Sequence, residues 1–359
     1  MLQRLTKGAH RSQEHNKNSK HHVYDALLDS PNPPVVGKIS HHSIELSWEQ
    51  DPMHRGDKRL KFALEEEDKR TSDFSTVYVG YADSYTIDGL EPLHSYKYRL
   101  KVATNDGDFS LSPTITVCTS REPFNSDHLH RATMKADLEA ISKILATGDV
   151  TVDVNDKIGY TPLMNAAQRG LLEVIELLLE HHADVHAINS SGKNSLIVAS
   201  YAGHGAVVKR LREAGAQWTC CDKGGSTPLH WAIDGGNCEL IQWMIDDGAP
   251  VDIKDKTSGW TPLLRCAAIT GDPSVAEVLL SSGAEVDCTD IDGKTALMIA
   301  SLNGYMAFVE KLVENGADVT LMSGHGKTAL EMAQSFDRRM VVKYLANEMG
   351  TEQKEKHHV

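Results

Sequence analysis

The spacing of apolar positions along the chain changes once, near residue 120. Before that point, apolar side chains recur at every second position in short runs: VVGKI at 35–39, SIELSW at 43–48, KFALEEE at 61–67, TVYVGY at 76–81, SYTI at 84–87, YKYRLKV at 96–102 and SPTITVCT at 112–119. A period of two, with turn residues between the runs, predicts seven short strands of an antiparallel sandwich over residues 31–121. Beyond that point the spacing becomes helical. In LLEVIELLLEHHAD, the residues Val174, Ile175, Leu177, Leu178 and Leu179 mark the apolar face of one helix, and similar stretches follow at a regular interval.

That interval is a repeat. GYTPL at 159–163, GKNSL at 192–196, GSTPL at 225–229, GWTPL at 259–263 and GKTAL at 293–297 and 326–330 set their glycines 33, 33, 34, 34 and 33 residues apart. Each opens a unit of a small-residue helix, an apolar helix and a closing turn such as HHADV at 181–185 or NGADV at 315–319. One such unit cannot bury its apolar face alone and must stack on its neighbours. Glycine suits a hairpin tip that needs positive φ. Thr161, Thr227 and Thr261 stand where a hydroxyl can cap the next helix, and the following proline fits a first helical turn. Alanine pairs, Ala166–Ala167 and Ala267–Ala268, let neighbouring helices approach closely.

Six units are predicted, at 158–190, 191–223, 224–257, 258–291, 292–324 and 325–350. Ahead of them, 122–157 reads as a linker and a degenerate capping helix pair carrying Leu129, Ala132, Leu138, Ile141 and Leu145 at helical spacing. Two single-residue insertions fall in consecutive units, one in the hairpin near Thr257–Ser258 and one in the inner helix near Arg265–Ile269. Residues 1–30 read as a disordered His- and Lys-containing segment, and 351–359 as a frayed tail.

The phased units resemble the ankyrin repeat. The sandwich resembles a fibronectin type III domain. Trp48 stands where that family places its second-strand core tryptophan, and Leu90-Glu91-Pro92 ahead of Tyr96 matches its tyrosine corner. Asn105-Asp106-Gly107, Ser110 and Ser112-Pro113 match its last loop and strand, while Phe62 or Leu64 replaces the usual third-strand aromatic. The whole is similar to a family of animal proteins that join one such sandwich to about six ankyrin repeats. The expected fold class is therefore two-domain, an all-β fibronectin type III-like sandwich followed by an all-α ankyrin-repeat solenoid with β-hairpin tips. The short linker SREPF at 120–124 predicts a sandwich that abuts the first repeat.

Composition narrows the function. A formal charge of −13 opposes direct nucleic-acid binding, which needs a dense basic face, and opposes electrostatic membrane attachment. No apolar run spans a bilayer and the N-terminus lacks an apolar signal core. The cysteines at 118, 220, 221, 238, 266 and 288 form no Cys-x-x-Cys pair and read as free thiols, which points to the cytoplasm and nucleus.

Candidate chemistry fails on specific residues. Arg55-Gly56-Asp57 sits between the second and third strands, away from the loop in which the resembled family displays an adhesion tripeptide. Gly326-Lys327-Thr328 lacks the upstream glycine of a phosphate loop, having Leu321 there, and recurs at 293–295 as repeat sequence. Asp290–Gly293 lacks the carboxylates of a calcium loop, with Cys288 and Ile299 at its ends. The paired histidines, such as His181–His182, have no Cys or carboxylate at ligand spacing, and His128, His130 and His230 fall where ankyrin helices carry hydrogen-bonding histidines. No enzyme, cofactor, metal or small-molecule substrate is expected.

Binding remains. Resemblance to ankyrin stacks implies a partner lying along the hairpin tips and the exposed face of the inner helices. On that mapping the candidate binding residues are Tyr160, Arg169, Tyr201, Trp231, Asp234, Trp260, Arg265, Lys294 and Lys327. Tyr201, Trp231, Trp260 and Arg265 fall in three consecutive repeats, and aromatic and Arg side chains most often anchor interfaces. Trp231 reads equally well as a cap on the helix stack, and Trp218 and Trp243 read as packing residues. The expected function is a non-catalytic adaptor or scaffold that recruits a protein partner. The resemblance implies a regulatory role in signalling or transcription, in a ciliated or germ-cell setting. The alternative is a substrate-recruiting subunit of a ubiquitin ligase or other enzyme complex, although no docking box follows Leu345.

Overall fold

A computed structural model describes residues 30–49, 60–104 and 107–355, with side chains through Gly350. The Arg55–Asp57 tripeptide, Asn105–Asp106 and residues 1–29 lie outside the described residues. The chain divides into two compact units, Met1–Pro123 and Phe124–Val359.

Among the described residues the first unit is a sandwich of eight strands: β1 (Val35–Ile39), β2 (Ser43–Ser47), β3 (Leu60–Glu67), β4 (Phe74–Gly80), β5 (Ser84–Asp88), β6 (Ser95–Thr104), β7 (Phe109–Leu111) and β8 (Ile115–Cys118). One sheet runs β1-β2-β5, and the other runs β4-β3-β6-β7 with β8 also on β6, all antiparallel. Alternate residues point inward, so Ile44, Leu46, Phe62, Leu64, Tyr98, Leu100 and Val117 form its core around Trp48. The strand predicted at 112–119 is shorter, β8 alone, and β7 ahead of it was not predicted. Pro113 cannot donate to a ladder, and Ser112 fills the break by accepting the Leu100 amide through Oγ at 2.8 Å. The tyrosine corner is present: Tyr96 Oη accepts the Glu91 amide at 2.8 Å.

The second unit is a stack of seven helix pairs. The inner helices are α1 (Ser126–Met134), α3 (Pro162–Arg169), α5 (Ser195–Ala202), α7 (Pro228–Gly235), α9 (Pro262–Ile269), α11 (Ala296–Asn303) and α13 (Ala329–Ser335). Their outer partners are α2 (Leu138–Ala146), α4 (Leu172–Glu180), α6 (Gly205–Glu213), α8 (Cys238–Asp246), α10 (Pro273–Ser281), α12 (Met306–Glu314) and α14 (Arg339–Glu355). One continuous apolar core runs from Leu129 to Leu345. Thr161, Thr261, Thr295 and Thr328 cap their helices by accepting the third amide at 3.2–3.4 Å.

Two features differ from the sequence reading. The second insertion does not lengthen the inner helix: α9 has eight residues, like α3, α5, α7 and α11. The extra residue lies in the turn, where a right-handed Thr270 follows the helix and Gly271, at φ +60°, comes after it. In α3, α5, α7 and α11 one left-handed glycine, such as Gly236, ends the helix directly. At the C-terminus, α14 continues through Glu355, past the predicted end of order at Gly350, because TEQKE consists mostly of good helix formers.

The hairpin fingers between repeats are tied to one another. Lys223 N donates to Ser191 O at 3.0 Å, Lys256 N to Gly224 O at 2.8 Å, Ile291 N to Ser258 O at 3.1 Å and Gly324 N to Asp292 O at 2.8 Å. This closeness is a second demand on the tip glycines. At Gly225, φ is +83° and an added Cβ would meet Lys256 N at 2.6 Å, whereas at Gly326, φ is +69° and nothing lies within 4 Å. Gly326→Ala should cost about 1–2 kcal/mol from its backbone conformation alone, and Gly225→Ala roughly 1 kcal/mol or more beyond that. Denaturant unfolding of the two variants measures the difference, and equal losses would refute the contribution of finger contact.

Candidate protein-binding surface

Each finger is built around one side chain that turns back on its own backbone. Asp156 Oδ1 accepts the Ile158 and Tyr160 amides at 2.9 Å. Asn189 Oδ1 takes the Ser191 and Lys193 amides at 2.9 and 3.0 Å, and Asp290 Oδ1 takes those of Asp292 and Lys294 at 2.9 and 2.8 Å. Asp222 Oδ1 accepts the Ser226 amide at 3.0 Å, which leaves Oδ2 for the helix beside it. In the first finger that second oxygen receives Asn165 Nδ2 at 3.1 Å, and in the third it receives Trp231 Nε1 at 3.0 Å. For Asp156, burial opposes ionisation. The Tyr160 amide, the Asn165 side chain, the Ile158 amide and nearby His130 together outweigh it and hold the carboxyl below its usual range.

Trp231 is the centre of the mid-stack surface. Lys193 Nζ lies 3.3 Å from its ring centroid and the Arg265 guanidinium 4.9 Å away, while Tyr201 meets it edge-on with centroids 5.7 Å apart. Arg265 grips Asp234 with both arms, Nε to Oδ1 at 2.8 Å and an Nη to Oδ2 at 2.6 Å, and its other Nη reaches Ser226 Oγ at 3.0 Å. The side chains of Arg265 and Asp234 are only 12% and 14% exposed. Burial pushes the Lys193 ammonium below its ordinary pKa, with Asp222 and Asp234 pulling the other way. Tyr201, in contrast, is 54% exposed. The cluster is thus internally paired, with one aromatic ring left open to a partner.

The structure brings together four of the sequence candidates, Tyr201, Trp231, Asp234 and Arg265, and joins Lys193, Ser226 and Asp222 to them. The others have separate settings. Trp260 is half-buried against the stack core, and its carbonyl accepts His230 Nε2 at 3.0 Å. Arg169 donates to the Met134 carbonyl at 2.7 Å and so caps the end of α1. Lys294 pairs with Asp292 at 2.7 Å, Lys327 reaches Ser335 Oγ at 3.4 Å, and Tyr160 is half-buried at the first tip. Asp222 was missed, although the Asp/Asn recurring three or four residues before most tip glycines is a legible signal for it. Trp218 and Trp243 pack edge-on at 6.0 Å on the outer side, where Trp218 Nε1 donates to Asp247 Oδ2 at 2.9 Å.

The other candidate chemistries resolve into structure. His230 Nδ1 accepts the Thr227 amide at 3.2 Å and Nε2 donates to Trp260, so the hydrogen bonds assign a neutral ring protonated at Nε2. His130 Nε2 bonds the Val154 carbonyl at 2.9 Å. Among the described residues no group of three His, Cys, Asp or Glu side chains could hold a metal ion, and no helix is long and apolar enough to cross a membrane. The six cysteines are free, and burial pushes the Cys266 thiol up to about 12.

Two outcomes test this geometry. Asp234→Ala should destabilise the chain by about 2 kcal/mol, because Arg265 loses its partner while its side chain is largely buried. A double-mutant cycle with Arg265→Ala should show coupling of about 1–2 kcal/mol, and additivity within roughly 0.3 kcal/mol would mean the pair does not act as one. Burial is the main force lowering the His230 pKa below 6.5, so its stabilising contribution is present above that value and is lost as pH falls through the lower folded value. Chemical denaturation at about pH 7.5 and about pH 5 should therefore show a smaller acid-induced loss for His230→Gln than for the unaltered chain.

Comparison with known proteins agrees with this architecture. The family model described as ankyrin repeats (3 copies) matches residues 129–222, 196–290 and 264–357, and so begins inside α1. The mouse fibronectin type 3 and ankyrin repeat domains 1 protein is 47% identical over 279 residues, covering 77% of this chain and 81% of that protein. Its human counterpart is 46% identical over 276 residues, with coverages of 76% and 80%. Among solved structures, the ankyrin repeat domain of Bcl-3 matches with a TM-score of 0.55 and 28% identity, covering 63% of this chain and all of that one. The human ASB11 ankyrin repeat domain matches at 0.53 and 25%, with coverages of 61% and 96%.

Proposed function

The chain belongs to the ankyrin-repeat family and, within it, to the fibronectin type 3 and ankyrin repeat domains 1 proteins; on that footing we propose that it is a non-catalytic adaptor, acting in the cytoplasm and nucleus, that recruits a regulatory protein partner to its inner-helix face. Ankyrin stacks are protein-interaction scaffolds, and no enzyme family is indicated by the matched family model or by these two-domain relatives. The observation that carries the reading is Tyr201, exposed beside a Trp231 ring already in contact with Lys193 and Arg265. A partner closing over Tyr201 meets a rigid surface, so little side-chain freedom is lost on binding. The cell setting of the partner, whether signalling or transcription, follows from its identity.

Tyr201→Ala removes the exposed ring and leaves the Arg265–Asp234 pair untouched, so it should fold normally. Proximity labelling in cells should show it losing a defined subset of the partners of the unaltered chain, with an affinity loss of about 2 kcal/mol for a direct partner. An unchanged partner set would overturn the assignment to this face. Loss of ubiquitin-ligase subunits from the labelled set would instead favour the substrate-recruiting alternative.

A further inference from the structure

Charge on the repeat unit is sorted between two places that alternate along the chain. The six turns that follow the outer helices, at 147–154, 181–187, 214–220, 247–253, 282–288 and 315–321, hold eight Asp or Glu and no Lys or Arg. The six fingers, at 155–160, 188–193, 221–226, 254–260, 289–294 and 322–327, hold seven Lys and five Asp. Most of the finger aspartates turn their charge onto their own backbone. Four of them, Asp156, Asp222, Asp255 and Asp290, accept amides of their own finger through Oδ1, and Asp292 pairs with Lys294. Lys157, Lys223 and Lys256 are exposed, and among the described residues no ion pair or side-chain hydrogen bond engages their ammonium groups. A basic ridge therefore runs along the fingertips of a chain whose formal charge is −13.

The ridge is not purely polar. Ile158, Ile188 and Ile291 on the same fingers are 68%, 61% and 72% exposed. Exposed apolar groups on the same or neighbouring fingers as uncommitted lysines suit a partner that carries both carboxylates and apolar side chains. Packed helices stand roughly 8–10 Å apart, and a strand advances about 3.3 Å per residue, so an extended peptide meets a new finger about every third residue. The eight acidic residues of the outer turns and the overall negative charge oppose a long polyanion such as duplex nucleic acid, whereas a short acidic segment meets the lysines alone.

We propose that the finger ridge docks an extended acidic segment of a partner protein, its carboxylates pairing with Lys157, Lys223 and Lys256 and its apolar residues covering the exposed isoleucines. This deepens the adaptor reading and rests on it in taking the partner to be a protein.

Fluorescence anisotropy with the full chain tests it, using a labelled peptide of about 15 residues with Glu at every third position and Leu or Ile between, beside its Gln and Lys counterparts. The Glu peptide should bind, the Gln peptide should bind about tenfold more weakly or worse, and affinity should fall as salt rises from about 50 to about 300 mM. The triple variant Lys157→Glu, Lys223→Glu, Lys256→Glu alters only exposed side chains; it should lose the Glu peptide and gain the Lys peptide. Equal binding of the Glu and Gln peptides, or a triple variant that binds as the unaltered chain does, overturns the proposal. Tighter, ridge-dependent binding of a single-stranded oligonucleotide or of phosphatidylserine vesicles would also overturn it. Tyr201→Ala should keep peptide binding, so failure of the ridge and failure of the inner-helix face give different results.

Discussion

The stack depends on the way each finger satisfies its own backbone. A hairpin that projects from a helix pair has amides with no strand to receive them, and an exposed tip would otherwise be held only by water. Here an Asp or Asn before most tip glycines accepts those amides, as Asp156 does from Ile158 and Tyr160 and Asp290 does from Asp292 and Lys294, and Ser323 takes the place in the last finger. The finger becomes stiff enough to hold a fixed distance from the next one. Backbone hydrogen bonds such as Lys256 N to Gly224 O then link fingers into a row, and the helix pairs beneath share one continuous core.

Much of the candidate binding surface follows from that arrangement. The second oxygen of the same carboxylate orients a side chain on the inner helix, Asn165 in one repeat and Trp231 in another. Once Trp231 is fixed, its ring becomes a platform for Lys193 and Arg265, and Asp234 holds Arg265 in place. The charges of the cluster are therefore largely matched within it. Because most of the finger aspartates face their own amides, the lysines are left as the outward charge of the ridge. A chain with thirteen more acidic than basic charges thus shows a basic edge.

The sandwich satisfies its backbone differently. Its ladders pair strand to strand, and individual hydroxyls close the places where a ladder fails, Tyr96 at the Glu91 amide and Ser112 at the Leu100 amide. Free thiols and the lack of a disulfide staple leave its cohesion to the core around Trp48, Phe62 and Tyr98.

The sequence by itself determined the two-part architecture, because the switch from a period of two to a period of about 33 residues leaves few other ways to bury the apolar positions. It also determined helix caps such as Thr161 and Thr261, the tyrosine corner and the row on which the candidate binding residues fall, since each is a local pattern of residue types at set spacing. Tertiary structure alone decided which of those residues are free. Arg169, Trp260 and Arg265 all fall on the row of tips and inner helices, yet one caps α1, one packs against the core and one is locked by Asp234. The second insertion likewise passed for a longer helix until the turn at Thr270 showed where the extra residue went. A side chain's partner commonly sits in the neighbouring repeat about 30 or more residues away, and repeat spacing says that such residues are close without saying which atoms meet.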